Sequence, residues 1–123
     1  MNFEHTKKTK ELIGLVSNFI DRKIRPRETE YIEAMNSFRE SGNPWQVPEA
    51  LYELKRDARA EGLWNFSLTG DAGYGLTNLE FAPLAEMMGV GWTSEVFNSS
   101  APDAGNMEVL DKYGSDYQKE KWA

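Results

Sequence analysis

With 123 residues the chain is long enough for one domain that buries roughly two thirds of the surface its unfolded form exposes, so a true apolar core is within reach. Twenty acidic residues against fourteen basic ones give a net charge of −6, the wrong sign for neutralising phosphates, and nucleic acid is not an expected partner. Cysteine is absent, which excludes disulfides, thiolate metal sites and thiol nucleophiles from these residues.

The basic residues gathered near the start (Lys7, Lys8, Lys10, Arg22, Lys23, Arg25, Arg27) are interleaved with Glu4, Glu11, Asp21, Glu28 and Glu30. That mixture reads as a solvated helix face. The longest apolar stretch, Leu12 to Ile20, is broken by Gly14, Ser17 and Asn18, and the acids before it do not suit a signal or transit peptide. No membrane span and a cytoplasmic location are expected.

From about His5 to Arg25, Ile13, Val16, Ile20 and Ile24 recur at three- and four-residue steps, with Leu12 and Phe19 widening the stripe, and this predicts an amphipathic helix. Pro26 breaks the pattern, and Tyr31, Met35 and Phe38 mark a short second helical stretch before the loop Ser41-Gly42-Asn43-Pro44. Pro48 suits a first helical turn, Leu51, Leu54 and Ala58 share one face, and Gly62 stands where a left-handed cap is wanted. Leu63 to Phe66 is read as a packed connection, and the glycines of Gly70-Asp71-Ala72-Gly73-Tyr74-Gly75 as a tight turn between helices. A helix then begins at Thr77, with Glu80 completing a capping box, Leu76 and Phe81 a hydrophobic staple, and Gly89 the end. Trp92 to Ala101 is predicted helical, and Asp103 is placed to cap a further segment that carries Met107 and Leu110 up to Gly114. The fold class is all-α, a bundle of five to six helices with no convincing strand pair.

The last residues hold a second capping box, Ser115 with Gln118, so Tyr117 to Ala123 should be helical. About two turns is short for a helix in water, and no glycine, proline or turn cluster closes the segment. The expectation is a polypeptide cut within an element, and hence a function belonging to a longer chain.

Little in the residues specifies chemistry. The glycine-rich segment follows no strand and lacks a Gly-Lys-Ser/Thr end, so it does not read as a nucleotide loop. His5 is the single histidine and has no second ligand beside it, which reads as a solvated residue. Carboxylate pairs such as Glu28 with Glu30 or Asp111 with Asp116 carry no signature of acid–base work. Trp45, Trp64, Trp92 and Trp122 are more simply core rings than a ligand pocket.

Order and spacing along nearly the whole chain add to this. The relevant runs are Phe19-Ile20 to Ile24-Arg25-Pro26, Val47-Pro48 with Leu54-Lys55 and Ala58-Arg59, Gly62-Leu63-Trp64-Asn65, and Gly73-Tyr74-Gly75-Leu76-Thr77-Asn78-Leu79-Glu80 with Glu86. They continue through Ala101-Pro102-Asp103-Ala104-Gly105-Asn106-Met107-Glu108-Val109-Leu110, Tyr113-Gly114 and Gln118-Lys119-Glu120-Lys121-Trp122. In this order they resemble the N-terminal helical domain of the flavin-dependent acyl-CoA dehydrogenases, and the Ala-Pro-Asp-x-Gly-Asn-Met-Glu run resembles one branch of that family. Leu68 stands where the family commonly has a proline, and Ala72-Gly73 where it has a glycine pair, which points to a looser turn.

The resemblance implies a domain of a longer enzyme in which FAD accepts a hydride from the β-carbon of an acyl-CoA thioester while a glutamate base takes the α-proton. The base and nearly all flavin contacts are implied to lie in later domains, so residues 1–123 alone are expected to be inactive, with no catalytic, cofactor-binding or metal residue of their own. An electron-transfer acceptor and a homo-oligomer are implied for the full enzyme. The part implied for this domain is a wall of the acyl-chain pocket, on a helix from about Trp92 to Gly105, with Phe97, Ala101, Pro102 and Gly105 facing the acyl tail. Small Ala101 and Gly105 would leave room for a long or bulky acyl group. The alternative is a free-standing helical interaction module without activity.

Overall fold

The computed structural model describes residues 2–123, and its secondary structure among them is wholly helical. There are six α-helices of seven or more residues and one single-turn segment, which agrees with the expected all-α bundle.

Helix α1 (Lys7–Phe19) starts at Thr6, whose hydroxyl accepts the Thr9 N–H at 3.2 Å. Its buried side chains Leu12, Val16 and Phe19 fall on one face. The stripe is therefore centred a little to one side of the predicted one, with Ile13 and Ile20 packed at its margin. At Pro26 the chain does not leave the helix. It widens into a π turn (Ile20–Ile24), tightens into a 3-10 turn (Arg25–Arg27), and continues as α2 (Glu28–Glu40). Proline lacks an N–H and crowds the carbonyl four residues back, and the wider turn upstream accommodates both faults without a change of element. Helix α2 has no fully buried residue; Tyr31 anchors it by stacking on Trp92 with ring centroids 4.0 Å apart.

Helix α3 (Glu49–Ala60) is preceded by Pro48 as its cap and buries Ala50, Leu51, Leu54 and Ala58. It ends as expected: Gly62 has φ +75°, its N–H reaches the Arg59 carbonyl at 3.1 Å, and the Leu63 N–H reaches that of Ala58 at 2.8 Å. Leu63 to Leu76 is a packed connection without strand pairing, burying Leu63, Phe66, Leu68 and Leu76. Its turn is tight rather than loose, because a Cβ on Gly73 would stand 2.2 Å from the Leu68 carbonyl oxygen. Tyr74 stacks on Phe66 and donates its hydroxyl to the Gly62 carbonyl, tying the turn to the end of α3.

Helix α4 (Asn78–Met88) has the predicted capping box. The Glu80 N–H meets Thr77 Oγ1 at 3.2 Å and the Thr77 N–H meets Glu80 Oε2 at 2.9 Å. Leu84 and Met88 enter the core, completed by Trp92, Val96 and Phe97.

The helix expected over Trp92 to Ala101, and through Gly105, is not continuous. Only α5 (Thr93–Val96) forms, after which Asn98 takes φ +54° and Ala101-Pro102 is a cis peptide. A residue in the left-handed region cannot propagate a right-handed helix, and proline cannot donate into one. Helix α6 (Asp103–Tyr113) then starts afresh, with Pro102 rather than Asp103 at its cap position and no side-chain cap bond. Helix α7 (Asp116–Trp122) opens on the Ser115–Gln118 capping box as predicted. Neither α6 nor α7 has a buried residue.

Candidate functional site

The four positions implied to face an acyl tail are divided by the break after α5. Phe97 is fully buried, edge-on to Phe19 (centroids 5.5 Å apart) and to Phe66 (6.1 Å), so its ring belongs to the core. Ala101, Pro102 and Gly105 stand together on the exposed start of α6, and a Cβ on Gly105 would meet nothing within 4 Å. Three of the four are thus exposed near the start of α6, and the fourth is buried in the core.

What joins the two is a buried polar link that the sequence did not single out as functional. Asn65 and Asn98 are 2% and 7% exposed, and Asn98 Nδ2 donates to Asn65 Oδ1 at 2.7 Å. The Asn65 N–H donates to the Phe97 carbonyl at 3.2 Å. Among the described residues these two asparagines are the non-glycine residues with positive φ, +56° and +54°. Asparagine tolerates that region because its short amide can bond locally. An asparagine between two rings, Trp64-Asn65-Phe66, and another directly after Phe97 were the signal available beforehand.

A second, weaker tie runs from α3. Lys55 Nζ lies 3.8 Å from Asp103 Oδ2, and both Lys55 and Arg59 stand 5.8 Å from the centre of the Trp64 ring. The Trp64 indole N–H is shut away from solvent without a protein acceptor. Of the other tryptophans only Trp92 is in the core; Trp45 is 90% exposed and Trp122 half exposed, against the expectation of core rings. Trp45 sits in the loop between α2 and α3, and Trp122 in a helix that packs mainly on α6 and buries no residue. His5 is exposed, as read.

Two hollows flank this region. One, of about 260 Å³, lies where the π turn meets the end of α4, lined by Ser17, Ile20, Ile24, Met87, Val90 and Thr93 with Asp21, Arg25 and Glu28 at its edge. The other, about 580 Å³ and wide open, is lined by Gly70, Asp71, Ala72, Asp111, Asp116 and Lys119. The pair Asp111 and Asp116 therefore does converge, beside the glycine-rich turn. Three carboxylates against one ammonium repel a phosphate there.

The ionisable groups with shifted affinities hold architecture together. Burial raises the Tyr31 and Tyr74 phenols above their usual range, and the Thr77 backbone N–H, ahead of the hydroxyls of Thr77 and Thr6, lowers the Glu80 carboxyl. The hydrogen bonds that Arg27 donates to Glu30 and then to Glu53 raise its own affinity further. What the start of α6 offers is small exposed residues, Ala101, Pro102 and Gly105, beside the buried Phe97.

Comparison with known proteins agrees with the all-helical fold. The family profile described as acyl-CoA dehydrogenase, N-terminal domain, matches residues 6–123. Acyl-CoA dehydrogenase family member 10 of Mus musculus is 40% identical over 92% of this chain and 11% of its own length. Probable acyl-CoA dehydrogenase FadE2 of Mycobacterium tuberculosis is 36% identical over 99% of this chain and 30% of its own. A solved chain from Mycobacterium abscessus assigned as an acyl-CoA dehydrogenase superposes with a TM-score of 0.80 at 43% identity, covering 97% of this chain and 31% of that one. The chain thus spans less than a third of each of these relatives. Its helical architecture, the order of its motifs and a match over residues 6–123 lead to one assignment: the chain belongs to the acyl-CoA dehydrogenase family, as its N-terminal helical domain.

Proposed function

We propose that these residues serve a flavin-dependent acyl-CoA dehydrogenase, the α,β-dehydrogenation of an acyl-CoA thioester, by forming part of the wall against which the acyl tail lies. The observation that carries the reading is the start of α6: Ala101, Pro102 and Gly105 present small, exposed apolar surface on a support fixed by Phe97 in the core. A wall of this kind binds through apolar contact and keeps water from the reacting carbons. Bulk at Gly105 would shorten the space; the glycine leaves it open.

The residues present do not fit a flavin on their own. The hollow beside the glycine-rich turn is lined by Asp71, Asp111 and Asp116 with only Lys119 opposing them, the wrong charge for the diphosphate of FAD. In this proposal FAD, the glutamate base and the docking of an electron acceptor come from the parts of the longer relatives that this chain does not span, and residues 1–123 alone are inactive. Assembly into a homo-oligomer belongs to the same proposal. The exposed rings of Tyr113, Tyr117 and Trp122 suit a surface covered by such a domain. They also suit the alternative, a free-standing helical module that binds a protein partner through α6 and α7.

The test is Gly105→Phe in the full-length enzyme, assayed on straight-chain acyl-CoA thioesters of graded length. The preference should move toward shorter chains by about tenfold or more in relative kcat/KM. An unchanged preference refutes the wall. A polypeptide that ends naturally at Ala123 and carries no flavin would favour the interaction module instead.

A further inference from the structure

Helix α6 has no buried residue, and its principal neighbour is α7, which has none either. The half-buried residues Asp103, Ala104, Met107, Leu110 and Asp111 give α6 only partial packing against the rest of the fold. The firmest anchor of Ala101 to Gly105 lies where the chain leaves the core, between Phe97 and Pro102. There the backbone reverses at Asn98, whose φ of +54° sends the chain away from α5, and the Ser99 N–H closes the turn on the Ser94 carbonyl at 3.0 Å. The reversal is joined to the connection after α3 by two bonds, Asn98 Nδ2 to Asn65 Oδ1 at 2.7 Å and the Asn65 N–H to the Phe97 carbonyl at 3.2 Å. Both asparagines are buried, so water cannot easily replace either partner. The Lys55–Asp103 pair is partly exposed at 3.8 Å and holds α6 far less firmly.

From this we infer that the buried Asn65–Asn98 pair is a positioning device for the acyl wall: it sets where Ala101 to Gly105 stand and so the length of acyl tail accepted. The inference rests on the reading of Ala101, Pro102 and Gly105 as that wall. Neither asparagine touches substrate; both act through the backbone that follows Phe97.

The experiment uses the full-length enzyme. Asn98→Gly removes the donor amide while keeping a residue at ease with positive φ, and Asn65→Gly does the same from the acceptor side. Both should change the ratio of kcat/KM between a short and a long acyl-CoA by about threefold or more, with the change carried mainly in KM for the longer substrate. Both should also speed amide hydrogen exchange over residues 99–106 while leaving that of α3 unchanged. Asn65→Asp, which keeps the accepting oxygen, should lie closer to the parent enzyme than Asn65→Gly. A lowered Tm with an unmoved ratio would make the pair merely structural and overturn the inference. Gly105→Phe run alongside separates the two claims. If it shifts the ratio and the glycine variants do not, the wall stands and the positioning role falls; if it too leaves the ratio unmoved, the wall falls and the positioning role with it.

Discussion

Replacing Phe97 with alanine is the sharpest test of the support beneath the proposed wall. The ring is fully buried and meets Phe19 and Phe66 edge-on, with centroids 5.5 and 6.1 Å away. An aromatic side chain buries about 150–250 Å², and after allowing for what alanine keeps covered, the lost burial is worth about 3 kcal/mol at ~25 cal/mol/Å². Losing two edge-on ring contacts and leaving a cavity raises the cost to about 4 kcal/mol, within the usual range for Phe→Ala in a core. For a domain whose whole stability is about 5–15 kcal/mol this is severe. Urea unfolding of the chain, followed by tryptophan fluorescence from the buried Trp92, should show the midpoint falling by about 2 M at an unchanged slope. Phe97→Leu, which keeps most of the volume, should lose only about 1 kcal/mol. A loss below about 1 kcal/mol for the alanine variant would refute the packing, since such a value belongs to a ring at the surface.

Glycine-to-alanine changes should split by local geometry. At Gly62, with φ +75° and only ordinary contact with Tyr74 Oη at 3.7 Å, the cost is conformational and about 1 kcal/mol; at Gly73, where the Cβ would lie 2.2 Å from the Leu68 carbonyl oxygen, it should be distinctly larger. Thermal unfolding of the two variants checks the order, and equal losses would refute it. The α4 capping box should be pH-dependent. The carboxyl of Glu80 is lowered in the folded protein, chiefly by the Thr77 N–H, so its contribution is present above the ordinary carboxylate value and fades as pH falls through the lowered one. The Tm gap between the parent chain and Glu80→Gln should therefore narrow from about pH 6 to about pH 3, and a gap that widens on acidification would reverse the sign.

The parts of this fold legible beforehand were those specified by residues close in sequence. A capping box needs two side chains three positions apart, and Thr77 with Glu80 and Ser115 with Gln118 both form it. Gly62 ends α3 because a left-handed cap is a one-residue requirement. The π turn before Pro26 was not legible, since proline forbids a regular helix without saying whether the chain leaves it or widens. Nor was the break after α5. Val96, Phe97 and Ala101 suit a helix by pattern, and what overrides the pattern is a partner thirty-three positions away, the Asn65 amide that holds Asn98 in its left-handed turn.

That break divides the four positions. Family resemblance put Phe97, Ala101, Pro102 and Gly105 on one helix, which would have given all four similar access to an acyl tail. With the helix interrupted, Phe97 is buried while the other three are exposed, and in the proposed wall their roles would separate into support and surface. In that proposal the core ring and the buried amide pair supply firmer anchorage than α6, which has no fully buried residue of its own. Small residues at the surface then leave the depth of the wall to be set by where that support holds the backbone. On this account substitutions at Gly105 alter the room for substrate directly, whereas those at Asn65 and Asn98 alter it through the chain between them, and both should be visible in the same chain-length ratio.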